Sequence, residues 1–209
     1  VLFRSWGQCD SVITGGAESA ATITALAGFA NMTALSSTLV SKPFDATRDG
    51  FIMGEGSAVF VLERFDLAVE RGATILAEIV GAASNADAHH ITAPSPGGAG
   101  AVRCMQLALD DAGLQPSDIK QINAHGTSTP LNDAAESEAI AKLFGESRPP
   151  VVSIKGVTGH PLGAAGALEA AAVLLSMEKS LIPPTRGTTA IDPAMTIDVV
   201  IGEPRPWTP

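Results

Sequence analysis

Gln121-Ile122-Asn123-Ala124-His125-Gly126-Thr127-Ser128-Thr129-Pro130-Leu131-Asn132-Asp133-Ala134-Ala135-Glu136 runs from a short apolar segment through a row of hydroxyls into an acidic, alanine-rich one. The left end suits a buried strand, and His125 sits where that strand stops. Gly126 permits a tight turn, the hydroxyls of Thr127, Ser128 and Thr129 line it, and Pro130 keeps it from continuing as sheet. Asp133 with Glu136 three residues on has the form of a capping box, which predicts a helix over 133–144 stopped by Gly145. Loops at strand ends are where open α/β folds collect ligands.

A second stretch repeats this order: Val151-Val152-Ser153-Ile154-Lys155-Gly156-Val157-Thr158-Gly159-His160-Pro161-Leu162-Gly163-Ala164-Ala165-Gly166. A β-branched strand leads through a loop into a Gly/Ala helix predicted over 163–179, with His160 at its start and Pro161 at a first helical position. Its dipole would disfavour a proton on His160. Lys155 is a polar residue at an apolar strand end, and a buried ammonium there needs a carboxylate partner.

Within these stretches Asn123-Ala124-His125-Gly126-Thr127-Ser128-Thr129-Pro130, then Lys155, Thr158-Gly159-His160 and Leu162-Gly163-Ala164-Ala165-Gly166, with Asp45-Ala46-Thr47-Arg48-Asp49-Gly50-Phe51 and Gly54-Glu55-Gly56 upstream, resemble the β-ketoacyl-[acyl carrier protein] synthases, in the family's own order. The resemblance implies an α/β, thiolase-like, layered αβαβα fold of mixed sheets with Ala/Gly-rich central helices. Residues 6–74 would be the remnant of the N-terminal half, and residues 75–209 most of the C-terminal half. It implies decarboxylative Claisen condensation of an acyl thioester with malonyl-carrier protein, in fatty-acid or polyketide elongation. The catalytic residues would be His125, His160, Lys155 and Glu136, with Glu136 as the partner of Lys155.

By the same resemblance Thr127 and Thr129 would meet the phosphopantetheine arm of an acyl carrier protein. Asp87 and Thr92 would lie on a loop over the site, and Phe29, in a small-residue segment over 17–34, would be an acyl-chain gate. Asn123 and Glu169 would contribute to a structural monovalent-cation site. No cofactor is required beyond the phosphopantetheine carried by the partner. The apolar 17–34 segment, costly to leave wet, adds the expectation of a homodimer. Alternatives are a non-catalytic partner of the chain-length-factor type and a thiolase-like condensing enzyme. The paired histidines disfavour the latter, since thiolases use one histidine with a second cysteine.

The family's nucleophile is a cysteine upstream of Gly15-Gly16-Ala17-Glu18, and a glycine-rich Phe-Gly-Gly segment closes its members; neither occurs here, so the chain reads as a fragment. Cys9 and Cys104, the two cysteines, form no metal-type pair and read as small buried hydrophobes, which suits a reducing compartment. His89 and His90 adjoin without a third ligand. Val1-Leu2-Phe3-Arg4-Ser5 departs from the family pattern and resembles a translated sequencing adaptor.

A net charge of −9 and a pI near 4.8 argue against nucleic acid or an anionic membrane as partner. No apolar run reaches the roughly 18 to 20 residues of a membrane span, and a cytoplasmic location is the default. Docking an acidic carrier protein would need a local basic patch, for which Lys42, Arg48 and Arg103 are candidates. Elsewhere the pattern predicts a core strand over 12–16, a strand buried on both faces over 57–63, a short helix from 67 to 71 and a strand over 75–81. A helix over 99–112 closed by Gly113 and a strand-like run at 196–201 follow.

Overall fold

The computed structural model describes residues 7–207, so the suspected adaptor segment at 1–5 lies outside the described residues. Strand β1 (Ser11–Glu18) and strand β2 (Gly56–Glu63) pair antiparallel, from Ser11 opposite Glu63 to Glu18 opposite Gly56. Between them lies helix α1 (Ile23–Asn31), capped by the Thr22 hydroxyl on the Ala25 N–H. Helix α2 (Phe65–Glu70) follows β2.

Neither β1 nor β2 is the doubly buried strand that its apolar composition suggests. Ile13, Val59 and Val61 are 76%, 66% and 65% exposed, and the two strands alternate between an open and a half-covered face. A two-residue period covers only one face of a two-stranded sheet, so β-branched residues on the other stay bare unless a second layer lies on them.

The predicted strand over 75–81 is not one either. It runs without a ladder partner beside helix α3 (Ala99–Ala112), where the Ala82 N–H donates to Asp111 at 2.9 Å and Gly81 presses on the backbone of Ala108. A strand is defined by its neighbour, and this segment has a helix on one side and no ladder on the other. Helix α3 itself has the predicted bounds, closed by Gly113 at φ +68°.

The second unit is a parallel pair, strand β3 (Ile122–Asn123) beside strand β4 (Val151–Val152), joined by helix α4 (Pro130–Phe144). Val199 bridges to Val151, so the strand-like run at 196–201 adds a third extended segment. Phe44, Ala124, Ile140, Phe144, Val151, Met195, Ile197 and Val199 form the main core between this sheet and α4. A short helix α5 (Lys155–Thr158), helix α6 (Ala165–Lys179) and the hairpin-like pair β5 (Leu181–Ile182) and β6 (Arg205–Pro206) complete the order.

Two helix starts differ from the sequence reading. Helix α4 begins at Pro130, its first residue, rather than at Asp133. Pro fixes φ and lacks only an N–H that would go unused there, so it opens the helix. Helix α6 begins at Ala165 after a 3-10 turn, Leu162–Ala164, so His160 stands before the turn and not at the helix end. Among the described residues no helix is long and apolar enough to cross a membrane.

Helix α5 is bound tightly to the tail. A Cβ on Gly156 would lie 1.8 Å from the Arg186 carbonyl oxygen. Gly156→Ala is therefore expected to cost about 1–3 kcal/mol by overpacking, read as a lower denaturant midpoint at unchanged slope.

Candidate active site

His125 leaves β3 with its backbone held on both sides. Its N–H donates to Glu136 Oε1 at 2.7 Å, and its carbonyl accepts from Lys155 Nζ at 2.6 Å. Gly126, at φ +41°, donates to Glu136 Oε2 at 2.7 Å and accepts from the buried Ser153 hydroxyl at 2.8 Å. Asp133, fully buried, accepts from the amides of Ser128 and Phe44. The acidic pair read as a capping box thus caps backbone amides of the turn before the helix and of the 43–44 segment, because α4 starts three residues earlier than that reading placed it.

Lys155 ion-pairs with Glu169 on α6, with its side chain 1% exposed. This corrects the pairing with Glu136 that the resemblance implied: both Glu136 oxygens already accept from backbone, whereas Glu169 reaches Lys155 from the facing helix. Burial raises the carboxyl pKa of Glu169, against the lowering effect of the ammonium. Burial likewise raises that of Glu136, opposed by its two amide donors.

The two imidazoles meet edge to face, with ring centroids 5.2 Å apart and planes at 85°. His160 is fixed as part of an extended bridge to Met53; its N–H donates to Ile52 O at 2.7 Å and its carbonyl accepts from Gly54 at 3.0 Å. Its Nδ1 accepts from the Leu162 N–H at 3.3 Å, which leaves the proton of the neutral ring on Nε2. Burial, then the charge of Lys155, lowers its pKa to about 4. His125 is also lowered to about 4, by burial first, then Lys155 and His160. His160 does not stand at the start of α6, where the sequence reading placed it beside a helix dipole.

Both rings are therefore neutral near pH 7. An unfolded chain would protonate them near 6.5, so the folded state loses stability as pH falls from about 6.5 toward 4. Lys155→Met removes the shared positive charge and is expected to raise both histidine pKa values, measured by proton NMR titration of the imidazole resonances. Unchanged titrations would mean that burial alone sets them.

The sequence block 45–51 braces this arrangement. Asp45 accepts from the amides of Thr47, Thr189 and Ala190; burial would raise its carboxyl pKa, but these bonds hold it far below the ordinary range. Asp49 does the same for 36–38, and Gly50 donates to Ser128 O at 2.9 Å. Phe51 packs edge-on to both His160 and Phe29, with centroids at 5.0 and 5.3 Å. Arg48 is no docking cation: its guanidinium is turned inward to Asp192, to the carbonyls of Asp45 and Pro130, and toward Asp133.

Beside His125 opens a cavity of about 260 Å³ that Asp87, Asn85, Asn132 and Glu136 also line. Asp87 accepts from the Ser95 N–H at 2.8 Å. Thr92 is exposed and donates its amide to His90, and it does not line this cavity. The Thr127 and Thr129 hydroxyls lie 2.8 Å apart, bonded to each other on the turn after His125.

Of the two residues read as cation ligands, Asn123 Oδ1 is buried without a hydrogen-bond partner and Glu169 is engaged by Lys155. Cys104 faces the Ala83 carbonyl and Cys9 precedes β1; neither lines the cavity beside His125. Ser153, Asp133 and Phe51 were not read from sequence as site residues. Phe51 lay in a block that carried the resemblance, Asp133 was read only as part of a capping box, and Ser153 carried no signal, because a serine in a β-branched run is common.

The profile of the beta-ketoacyl synthase N-terminal domain matches residues 5–68, and that of the C-terminal domain residues 76–189. A 3-oxoacyl-[acyl-carrier-protein] synthase 2 from Staphylococcus aureus is 47% identical over 203 residues, covering 94% of this chain and 50% of the relative. The chain spans about half the length of the curated relatives it matches. A beta-ketoacyl synthase from Burkholderia phymatum superposes with a TM-score of 0.93 at 44% identity, over 98% of this chain and 51% of that one. A type II polyketide ketosynthase, solved with its acyl carrier protein and bound to a hexaketide, superposes at 0.95 and 36% identity, over 99% and 52%.

Proposed function

The chain belongs to the β-ketoacyl synthase family, with its thiolase-like α/β fold, and we propose that its two-histidine centre drives decarboxylative condensation of a malonyl thioester with an acyl thioester. The observation that carries this is the pair of neutral imidazoles, edge to face at 5.2 Å, with Lys155 behind them. When the bond from C2 to the malonyl carboxyl breaks, carbon dioxide leaves and the electron pair moves through C2 to the thioester oxygen. That oxygen becomes an enolate, which Nε2–H of His160 and an N–H of His125 would stabilise. The C2 carbanion equivalent then attacks the acyl thioester and expels its thiolate.

A neutral ring keeps one N–H with which to donate to the developing oxyanion and, unlike an imidazolium, is too weak an acid to protonate the enolate before C2 attacks. Burial first, and then the charge of Lys155, keeps them neutral, and Lys155 with Glu136 fixes the backbone from which His125 projects. The malonyl group would arrive on the phosphopantetheine arm of an acyl carrier protein. This is supported by the relative solved with its own carrier protein, and the Thr127 and Thr129 hydroxyls, now bonded to each other on the turn after His125, are the groups that would turn to the arm's amides. Phe29, joined to His160 through Phe51, would face the acyl chain. We assign the complete activity to a homodimer.

The acyl chain needs a thiolate, and neither Cys9 nor Cys104 stands at the histidines. Incubation of these 209 residues with a labelled acyl-carrier protein is expected to leave both cysteines unmodified in an intact-mass measurement. A stoichiometric adduct on either would relocate the nucleophile. The proposal as a whole is tested by release of labelled carbon dioxide from malonyl-carrier protein, a half-reaction that uses the histidines and no cysteine. Release that is indifferent to loss of both histidines would sink it.

A further inference from the structure

Leu162 has φ +39°, a left-handed conformation that costs a branched side chain energy, and its N–H meets His160 Nδ1 at 3.3 Å. The 3-10 turn that it opens, Leu162–Ala164, has no side-chain cap of its own. It is held instead from β1, far away in sequence. Gly16 lets the strand come so close that a Cβ there would lie 2.6 Å from the Gly163 carbonyl oxygen and 3.1 Å from Ala164 Cα. Two residues on, on the same face of the strand, Glu18 Oε2 accepts the Gly163 N–H at 3.2 Å, while Oε1 accepts the N–H of Ser19.

From this geometry we propose that Glu18 is a positioning residue for His160. By holding the Gly163 amide it anchors the Leu162–Ala164 turn against β1, and the anchored turn keeps the Leu162 N–H on His160 Nδ1, so that the ring's proton stays on Nε2. A residue that touches neither ring nor substrate thereby decides which nitrogen carries the proton. The tautomer matters because the alternative, with the proton on Nδ1, would present a lone pair to the developing enolate and repel it. The inference rests on the reading above that His160 donates from Nε2, but its test does not need turnover.

The experiment is nitrogen-15 NMR of the protein labelled in its histidine side chains, comparing Glu18→Gln and Glu18→Met with the unmodified protein. Gln keeps an acceptor for Gly163; Met keeps the length of the stem and removes the acceptor. In the unmodified and Gln proteins His160 is expected to give one pyridine-like Nδ1 and one pyrrole-like Nε2 resonance. In the Met protein that single tautomer should be lost to a mixture, at an unfolding midpoint that shows the chain still folded. A single unchanged tautomer in folded Glu18→Met overturns the proposal.

Should the Met variant fail to fold, the unmodified protein decides. Gly163 is exposed in a short turn, and its N–H is nevertheless expected to be protected from hydrogen exchange by Glu18. Exchange there at the rate of an open amide would remove the first link and the proposal with it. A protein that held its tautomer but released no carbon dioxide would instead refute the proposed function and leave this inference standing.

Discussion

His125→Ala in the full-length protein is expected to slow loss of carbon dioxide from a malonyl thioester by about 10²–10³-fold, the scale of one lost oxyanion donor. The ring lies 5.2 Å from that of His160 and projects from a backbone clamped by Glu136 and Lys155. Removing it therefore removes a donor while leaving the loop pinned by Glu136 and Lys155. Transfer of an acyl group to the enzyme should suffer much less, because that step builds no enolate. Equal losses in the two half-reactions would contradict the assigned role and would point to a general positional defect.

The low proton affinity of both histidines bears on the same experiment. With each lowered to about 4, the decarboxylating form should persist through mildly acidic solution and fall away only as pH approaches 4. In His125→Ala, His160 loses one of the bodies that crowd it, so the acid limb of the residual activity should move upward.

The positions of the two histidines were legible in sequence because each stands just past an apolar run and beside a turn glycine, Gly126 after His125 and Gly159 before His160. Those are local signals, and β3 and β4 carry them. What joins the histidines was not legible. The partner of Lys155 sits fourteen residues on, across a left-handed residue and a 3-10 turn, and no spacing rule picks Glu169 over Glu136. The strand at 75–81 failed for a related reason: composition reports what a segment could pair with, and only tertiary contact supplies the pair. Likewise the open faces of β1 and β2 read as buried, since alternation was masked by Ala, Val and Phe filling both sides.

Glu169→Leu is expected to destabilise the protein by about 3–5 kcal/mol, the usual result of removing one partner from a buried ion pair. The Lys155 ammonium, with a side chain 1% exposed, would keep only the His125 carbonyl as acceptor. The loss comes from the stranded charge more than from the bond, so removing the charge as well should restore most of it. Lys155→Met combined with Glu169→Leu is accordingly expected to approach the unmodified protein in denaturant midpoint, with Lys155→Met alone in between. The same cycle with Glu136→Leu should show no such rescue, because Glu136 caps the amides of His125 and Gly126 and these remain uncapped whatever stands at position 155. Rescue of Glu136→Leu by Lys155→Met, and not of Glu169→Leu, would return the ion pair to Glu136 and overturn the geometry on which the neutral histidines depend.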